Sequence, residues 1–140
     1  MKLRVAALYA MALMAQAAVG AAIPGVTING KPTAPEIQAL KQAMGRDYGD
    51  LQPFEVGQAD LNDDHLPDLL ARSDSTGGCG SAGCQTYAVL ATSAGYAQKA
   101  IRLAAAGGKV FVLPSKHHGM HDLRFESGTY IFKWNGKEYQ

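Results

Sequence analysis

The sequence predicts an α+β fold in which an N-terminal helix packs on a mostly antiparallel β-sheet, and three features predict it. A helix-start signature at Thr33-Ala34-Pro35-Glu36 opens a stripe of apolar residues at helical spacing. Seven short runs of strand character follow, set apart by Gly, Pro, Asn or Asp. The connections between those runs are too short for the crossovers that a parallel sheet requires.

A leader precedes the fold. Lys2 and Arg4 form a positive region, residues 5–18 (VAALYAMALMAQAA) form an apolar stretch of 14 residues, and Gly20, Ala21 and Ala22 are small. A spanning helix needs about 20 apolar residues, so residues 1–22 read as a cleavable signal peptide, with Ala17 or Ala21 as alternative cleavage points. The expected product is one domain over 23–140, periplasmic or secreted, free of the membrane after cleavage. No cysteine near the cleavage point could take a lipid, the first being Cys79. The 140-residue chain has 13 Lys and Arg against 12 Asp and Glu, and taking away Lys2 and Arg4 leaves 11 basic residues. That balance lacks the basic excess of a nucleic-acid binder, and a chain with 47% hydrophobic residues is too apolar for a disordered tail.

The helix begins where Thr33 and Glu36 can cap each other's backbone, with Pro35 in the first turn, where a missing N–H costs nothing. Ile37, Leu40 and Met44 make its apolar face, Tyr48 extends it, and Gly45 and Gly49 end it. The strand-like runs are 54–59, 66–71, 86–92, 96–103, 109–113, 123–126 and 129–134. Asn135-Gly136 signals a type I′ turn, with 137–139 as a short returning strand.

The sharpest chemical pattern is Asp60-Leu61-Asn62-Asp63-Asp64-His65-Leu66-Pro67-Asp68. Oxygen side chains at relative positions 1, 3, 5 and 9 are Asp60, Asn62, Asp64 and Asp68, and position 7 would supply the Leu66 carbonyl, as in a compact calcium loop. Four carboxylates within nine residues repel one another, and a divalent cation removes that cost. His65 occupies position 6, where Gly usually makes the sharp turn, and Ala71 at position 12 provides no bidentate carboxylate. Affinity is therefore expected in the range of roughly 0.1 to 1 mM found in extracellular modules. The competing reading is an ion-free, Asx-rich turn.

Cys79 and Cys84 flank Gly-Ser-Ala-Gly, and in an exported protein such a pair reads as a disulfide rather than a redox or zinc pair. His117, His118 and His121 suggest a transition-metal site or, with Pro114 and Gly119 nearby, solvent-exposed loop histidines. The sequence has neither HExxH nor GxSxG, so no enzyme motif supports catalysis.

Taken in order, DLNDDHLPDLL, GGCGSAGCQTYAVL, VLPSKHHGMHDLRF and YIFKWNGKEY resemble a set of small exported proteins of Gram-negative bacteria. These carry an Asp/Asn-rich loop, a Gly-flanked cysteine pair, a G-x-x-D-L segment and a closing aromatic hairpin, and the likeness runs from about Asp60 to Tyr139. Some resemble periplasmic immunity proteins, which block peptidoglycan-degrading effectors, and are similar in build to periplasmic lysozyme inhibitors. The resemblance implies a binding protein rather than an enzyme, with a cell-wall hydrolase as partner and a structural calcium ion on Asp60, Asn62, Asp64 and Asp68. Ser127-Gly128-Thr129-Tyr130 is similar to the loop that some lysozyme inhibitors insert into an active site. Lys116 and Lys133 are candidate cations for the acids of such a cleft. The second class is a metal carrier or small enzyme using His117, His118 and His121.

Overall fold

The computed structural model describes residues 22–140, so the signal-peptide reading lies outside the described residues except at Ala22. Among the described residues no helix is long and apolar enough to cross a membrane. In chain order the elements are β1 (Gly25–Val26), α1 (Ala34–Met44), α2 (Asp47–Leu51), β2 (Phe54–Ala59), β3 (Asp68–Ser73), β4 (Cys79–Gly80) and β5 (Gly83–Val89). They continue as β6 (Ala91–Thr92), β7 (Gly95–Tyr96), β8 (Ile101–Ala106), β9 (Val110–His117), β10 (Met120–Phe125) and β11 (Ile131–Phe132). The fold is α+β and its strand pairs are antiparallel.

The capping box forms as the sequence requires: Glu36 N donates to Thr33 Oγ1 at 3.4 Å and Thr33 N to Glu36 Oε2 at 2.8 Å. Gly45, at φ 59°, ends α1 and donates to the Lys41 carbonyl. The buried face differs from the Ile37, Leu40, Met44 stripe. Glu36, Ala39 and Leu40 are buried, while Ile37 and Met44 are half-buried. Ala39 is small enough to sit beneath the helix axis, and Glu36 can face inward because Gln58 Nε2 on β2 donates to it at 3.2 Å. Tyr48 belongs to the separate α2, stacked on Phe54 at 5.5 Å between ring centroids.

Two sheets replace the single expected one. In the larger, β2 pairs with β3 and β3 with β5, while β4 lies beside β5 on the β3 side and β8 on the other. The smaller runs β1-β9-β10-β11, and β6 and β7 form a short hairpin of their own. β3 is buried on both faces: Leu69 and Ala71 pack under the helices with Leu40, Phe54 and Val89, whereas Leu70 packs with Leu61, Val110 and Leu123 between the sheets. The layers are therefore helices, large sheet and small sheet, each interface closed by its own apolar cluster.

Residues 24–30 close one side of this arrangement. β1 pairs with β9 (Gly25 with Phe111, Val26 with Val110), and Gly30 then bridges to Val56 on β2. Gly57 makes that passage feasible, because a Cβ there would stand 2.6 Å from the Thr27 carbonyl oxygen.

Three local expectations change. The runs 86–92 and 96–103 each break, into β5 and β6 and into β7 and β8. Residues 114–119 are not a loop: β9 runs through Pro114 to His117 and turns on His118-Gly119, with φ of 50° and 80°, into β10. Pro114 is tolerated because the β9–β10 register shifts between His121 and Leu123, leaving it without a ladder bond to make. The positive-φ pair expected at Asn135-Gly136 is thus found at His118-Gly119 instead. At the C-terminus only Gly136 has positive φ, and Asn135 Oδ1 accepts from the Lys137 and Glu138 amides at 2.9 and 2.8 Å, a four-residue Asx-type turn. The returning pair itself forms, Trp134 bridging Tyr139.

Candidate functional site

The Asp/Asn-rich loop joins β2 to β3 and is wound by its own side chains. Asp60 Oδ1 accepts from Asn62 N at 3.2 Å and Oδ2 from His65 N at 2.9 Å, Asn62 Oδ1 accepts from Asp64 N at 3.3 Å, and Asp64 Oδ1 from Leu66 N at 2.9 Å. Each Asx residue thereby curls the chain under its own oxygens. His65 stands at φ 65°, the left-handed conformation that makes Gly the usual residue at this position.

Asn62 lies between the two acids. Its carboxamide turns its oxygen side toward them, at 3.1 Å from Asp60 Oδ1 and 3.0 and 3.3 Å from the two Asp64 oxygens; with nitrogen and oxygen exchanged, the amide would donate to all three. Two chemical states fit that geometry. Without a cation the nitrogen belongs on the inside; with one, the oxygen does, because three converging oxygens need a positive centre.

Asp68 has a different setting from the other three. It is fully buried at the start of β3, one oxygen accepting from Leu61 N and the other from Ala91 N, each at 2.8 Å. Burial pushes its carboxyl up, against the pull of those two amides, and the charges of Asp64 and Asp60 push it further. Asp68 thus ties the loop to the start of β6. Among the described residues no three His, Cys, Asp or Glu side chains gather as a metal-holding group. A cation at the loop would rest on Asp60, Asp64, the Asn62 carboxamide and the main chain, a hard-oxygen set that fits calcium better than zinc or copper.

The histidines do not converge. His117 Nδ1 bonds Asp122 Oδ1 at 2.7 Å, His118 occupies the exposed turn, and His121 is held by the Leu113 carbonyl at Nδ1 and by Asp63 Oδ1 at Nε2, both at 2.6 Å. Neighbouring positions on a strand face opposite ways, which separates His117, paired across from Met120, from His121, paired across from Lys116.

Asp63, absent from the spacing argument, joins the loop to this hairpin. Lys116 Nζ donates to its Oδ2 at 2.6 Å while His121 holds its Oδ1, and His121 N donates to the Leu61 carbonyl at 2.8 Å. The Lys116 and His121 hydrogen bonds hold the Asp63 carboxyl down at about 2. Tyr139 Oη donates to the His121 carbonyl at 2.8 Å, so the C-terminal hairpin is tied to the same point. These partners lie more than fifty residues from Asp63 in sequence, and only the adjacent acid pair Asp63-Asp64 hinted that one carboxylate was spare.

Cys79 and Cys84 form the disulfide, facing each other across the β4–β5 pair. Ser127 Oγ accepts from Gly107 N at 3.2 Å, and Tyr130, 64% exposed, packs edge-on against Phe132 at 4.9 Å. Lys133 is exposed on the C-terminal hairpin, whereas Lys116 is engaged by Asp63. Two polar residues are buried in ways that the sequence pattern does not show. Arg72 is buried between the sheets, donating to Thr86 Oγ1 at 3.1 Å and the Gly108 carbonyl at 2.7 Å, with Nη2 unpartnered among the described residues. Asp122 is buried under Ser115 and His117; burial raises its carboxyl, and their hydrogen bonds outweigh that and leave it lowered. No family model matches the chain, and no curated protein or solved structure matches it either.

Proposed function

We propose that the protein is an exported binding protein that occludes a peptidoglycan-degrading hydrolase in the periplasm, with a calcium ion at Asp60, Asn62, Asp64 and the Leu66 carbonyl as a structural staple. The observation that carries the calcium reading is the convergence of the Asp60, Asn62 and Asp64 side chains, the Asn62 carboxamide lying 3.0 to 3.3 Å from both carboxylates in a loop already curled around them. The ion supplies positive charge among converging oxygens and nothing else. Asp68 supports it from behind, fixing the Leu61 end of the loop.

The binding reading draws on the likeness to immunity proteins and lysozyme inhibitors and on the way the surface is held in advance. The Asp63–Lys116–His121 link, the Cys79–Cys84 bond and the Tyr139 hydrogen bond fix the loop and both hairpins before any partner arrives. Surfaces ordered beforehand lose less entropy on association. Tyr130 and Lys133 are the exposed residues offered to the partner, an aromatic anchor and a cation for its catalytic acids.

The test is the turnover of purified peptidoglycan by a lysozyme-type hydrolase in the presence of the purified protein. The expected result is stoichiometric slowing, weakened by Tyr130→Ala. Undiminished turnover across a panel of lytic enzymes, with no hydrolase recovered on the immobilised protein from a periplasmic extract, overturns the partner assignment.

A further inference from the structure

The two sheets meet along two sides, and only one is sewn shut. Residues 24–30 cross from β9 to β2 and close the first. On the other side β8 and β11 are both edge strands, and among the described residues no main-chain hydrogen bond joins 101–106 to 129–140. An unpaired edge presents a row of free N–H and C=O groups, which natural folds usually blunt with charge, proline or cover. β8, Ile-Arg-Leu-Ala-Ala-Ala, has one charge and no proline, and its alanines leave the edge open.

Space lies along that edge. A cavity of about 580 Å³ opens between Ile101, Leu103 and the C-terminal hairpin at Trp134 and Tyr139. A second, of about 310 Å³, lies between residues 104–106 and Phe125, Tyr130 and Phe132. Tyr130, one of the three large apolar side chains exposed among the described residues, lines this second cavity. The rim of the larger cavity carries three exposed cations, Lys99, Arg102 and Lys137, and one anion, Glu138, while Arg102 also borders Asp47 and Asp50 of α2.

We propose that this seam receives an extended, acidic segment of a partner protein, which adds to β8 as a further strand. Main-chain bonds to the free edge supply affinity, alternate apolar side chains enter the two cavities, and the intervening acids meet Lys99, Arg102 and Lys137. A second copy of this chain is disfavoured as occupant, because pairing β8 with itself brings Arg102 and its basic neighbours against their own kind. The inference rests on the binding-protein reading above and is independent of the partner's being a hydrolase.

Selection of random dodecapeptides displayed against the intact, disulfide-bonded protein tests it without presupposing a sequence. The expected pool is acidic with alternating apolar residues. The most enriched peptide, made free, protects the amides of residues 101–106 from hydrogen exchange and loses binding when its backbone is N-methylated. Arg102→Glu, an exposed position, weakens that peptide by about tenfold or more and improves its Glu-to-Lys counterpart, a reversal that misfolding would not give. No enrichment, a neutral or basic pool, or protection confined elsewhere overturns the proposal. A concentration-dependent dimer with residues 101–106 protected assigns the seam to a second copy and overturns it too. Hydrolase inhibition that persists without peptide binding leaves the inhibitor reading intact with another surface; peptide binding without inhibition removes the hydrolase alone.

Discussion

His65 holds the sharpest bend of the acidic loop at φ 65°, a conformation that costs an L-residue roughly 1 kcal/mol or more relative to Gly. His65→Gly is therefore expected to raise the urea midpoint of unfolding, by about 1 kcal/mol in stability, and to tighten calcium binding at the same time. An unchanged midpoint would mean that the turn is not strained. Asp122 sets a different expectation, tied to pH. Its carboxyl is buried, and the Ser115 and His117 hydrogen bonds bring it below its ordinary value. A group lowered on folding contributes stability that is present above about pH 4, its unfolded value, and is lost as the pH falls through the folded one. Asp122→Asn should cost about 2 kcal/mol at neutral pH and flatten the acid limb of the stability profile, which thermal unfolding between pH 7 and 3 would show. A parallel profile for the variant would remove Asp122 from the acid response.

Local chemistry was most readable where an element is specified by its own residues. The Thr33–Glu36 box, the β2 run and the Cys79–Cys84 pair all act over short separations, so their pattern carries them. What stayed hidden depends on distant partners. Glu36 turns inward because of Gln58, Asp68 is consumed by the Ala91 amide, and Asp63 is claimed by Lys116 and His121. The placement of the histidines was hidden for a related reason: three residues close in sequence are divided by the alternation of a hairpin whose first strand runs through Pro114. The two-sheet arrangement was hidden because β1 is only two residues long and carries no strand pattern. Its consequence can be tested at Gly57. Ala there would set a Cβ against the Thr27 carbonyl, a backbone atom that cannot rotate away, and a cost of about 2 kcal/mol is expected in chemical denaturation. Full stability in Gly57→Ala would mean that residues 24–30 do not press on β2.

For the whole molecule, the acidic loop is the junction of otherwise separate parts. Asp68 reaches the start of β6, Asp63 reaches the β9–β10 hairpin, and through His121 the C-terminal hairpin is held by Tyr139. A cation that fixes Asp60, Asn62 and Asp64 would stiffen both sheets together, and its effect belongs to global stability rather than to one loop. The most direct measurement of this account is thermal unfolding of the protein with calcium removed and then restored to about 10 mM. At the affinity expected for such a loop, the ion adds about 1.4 to 2.7 kcal/mol, a rise in Tm of roughly 5 to 10 °C, and Asp64→Ala abolishes it. A Tm that does not move with calcium, or that moves equally in Asp64→Ala, contradicts the calcium staple and leaves the loop an ion-free turn.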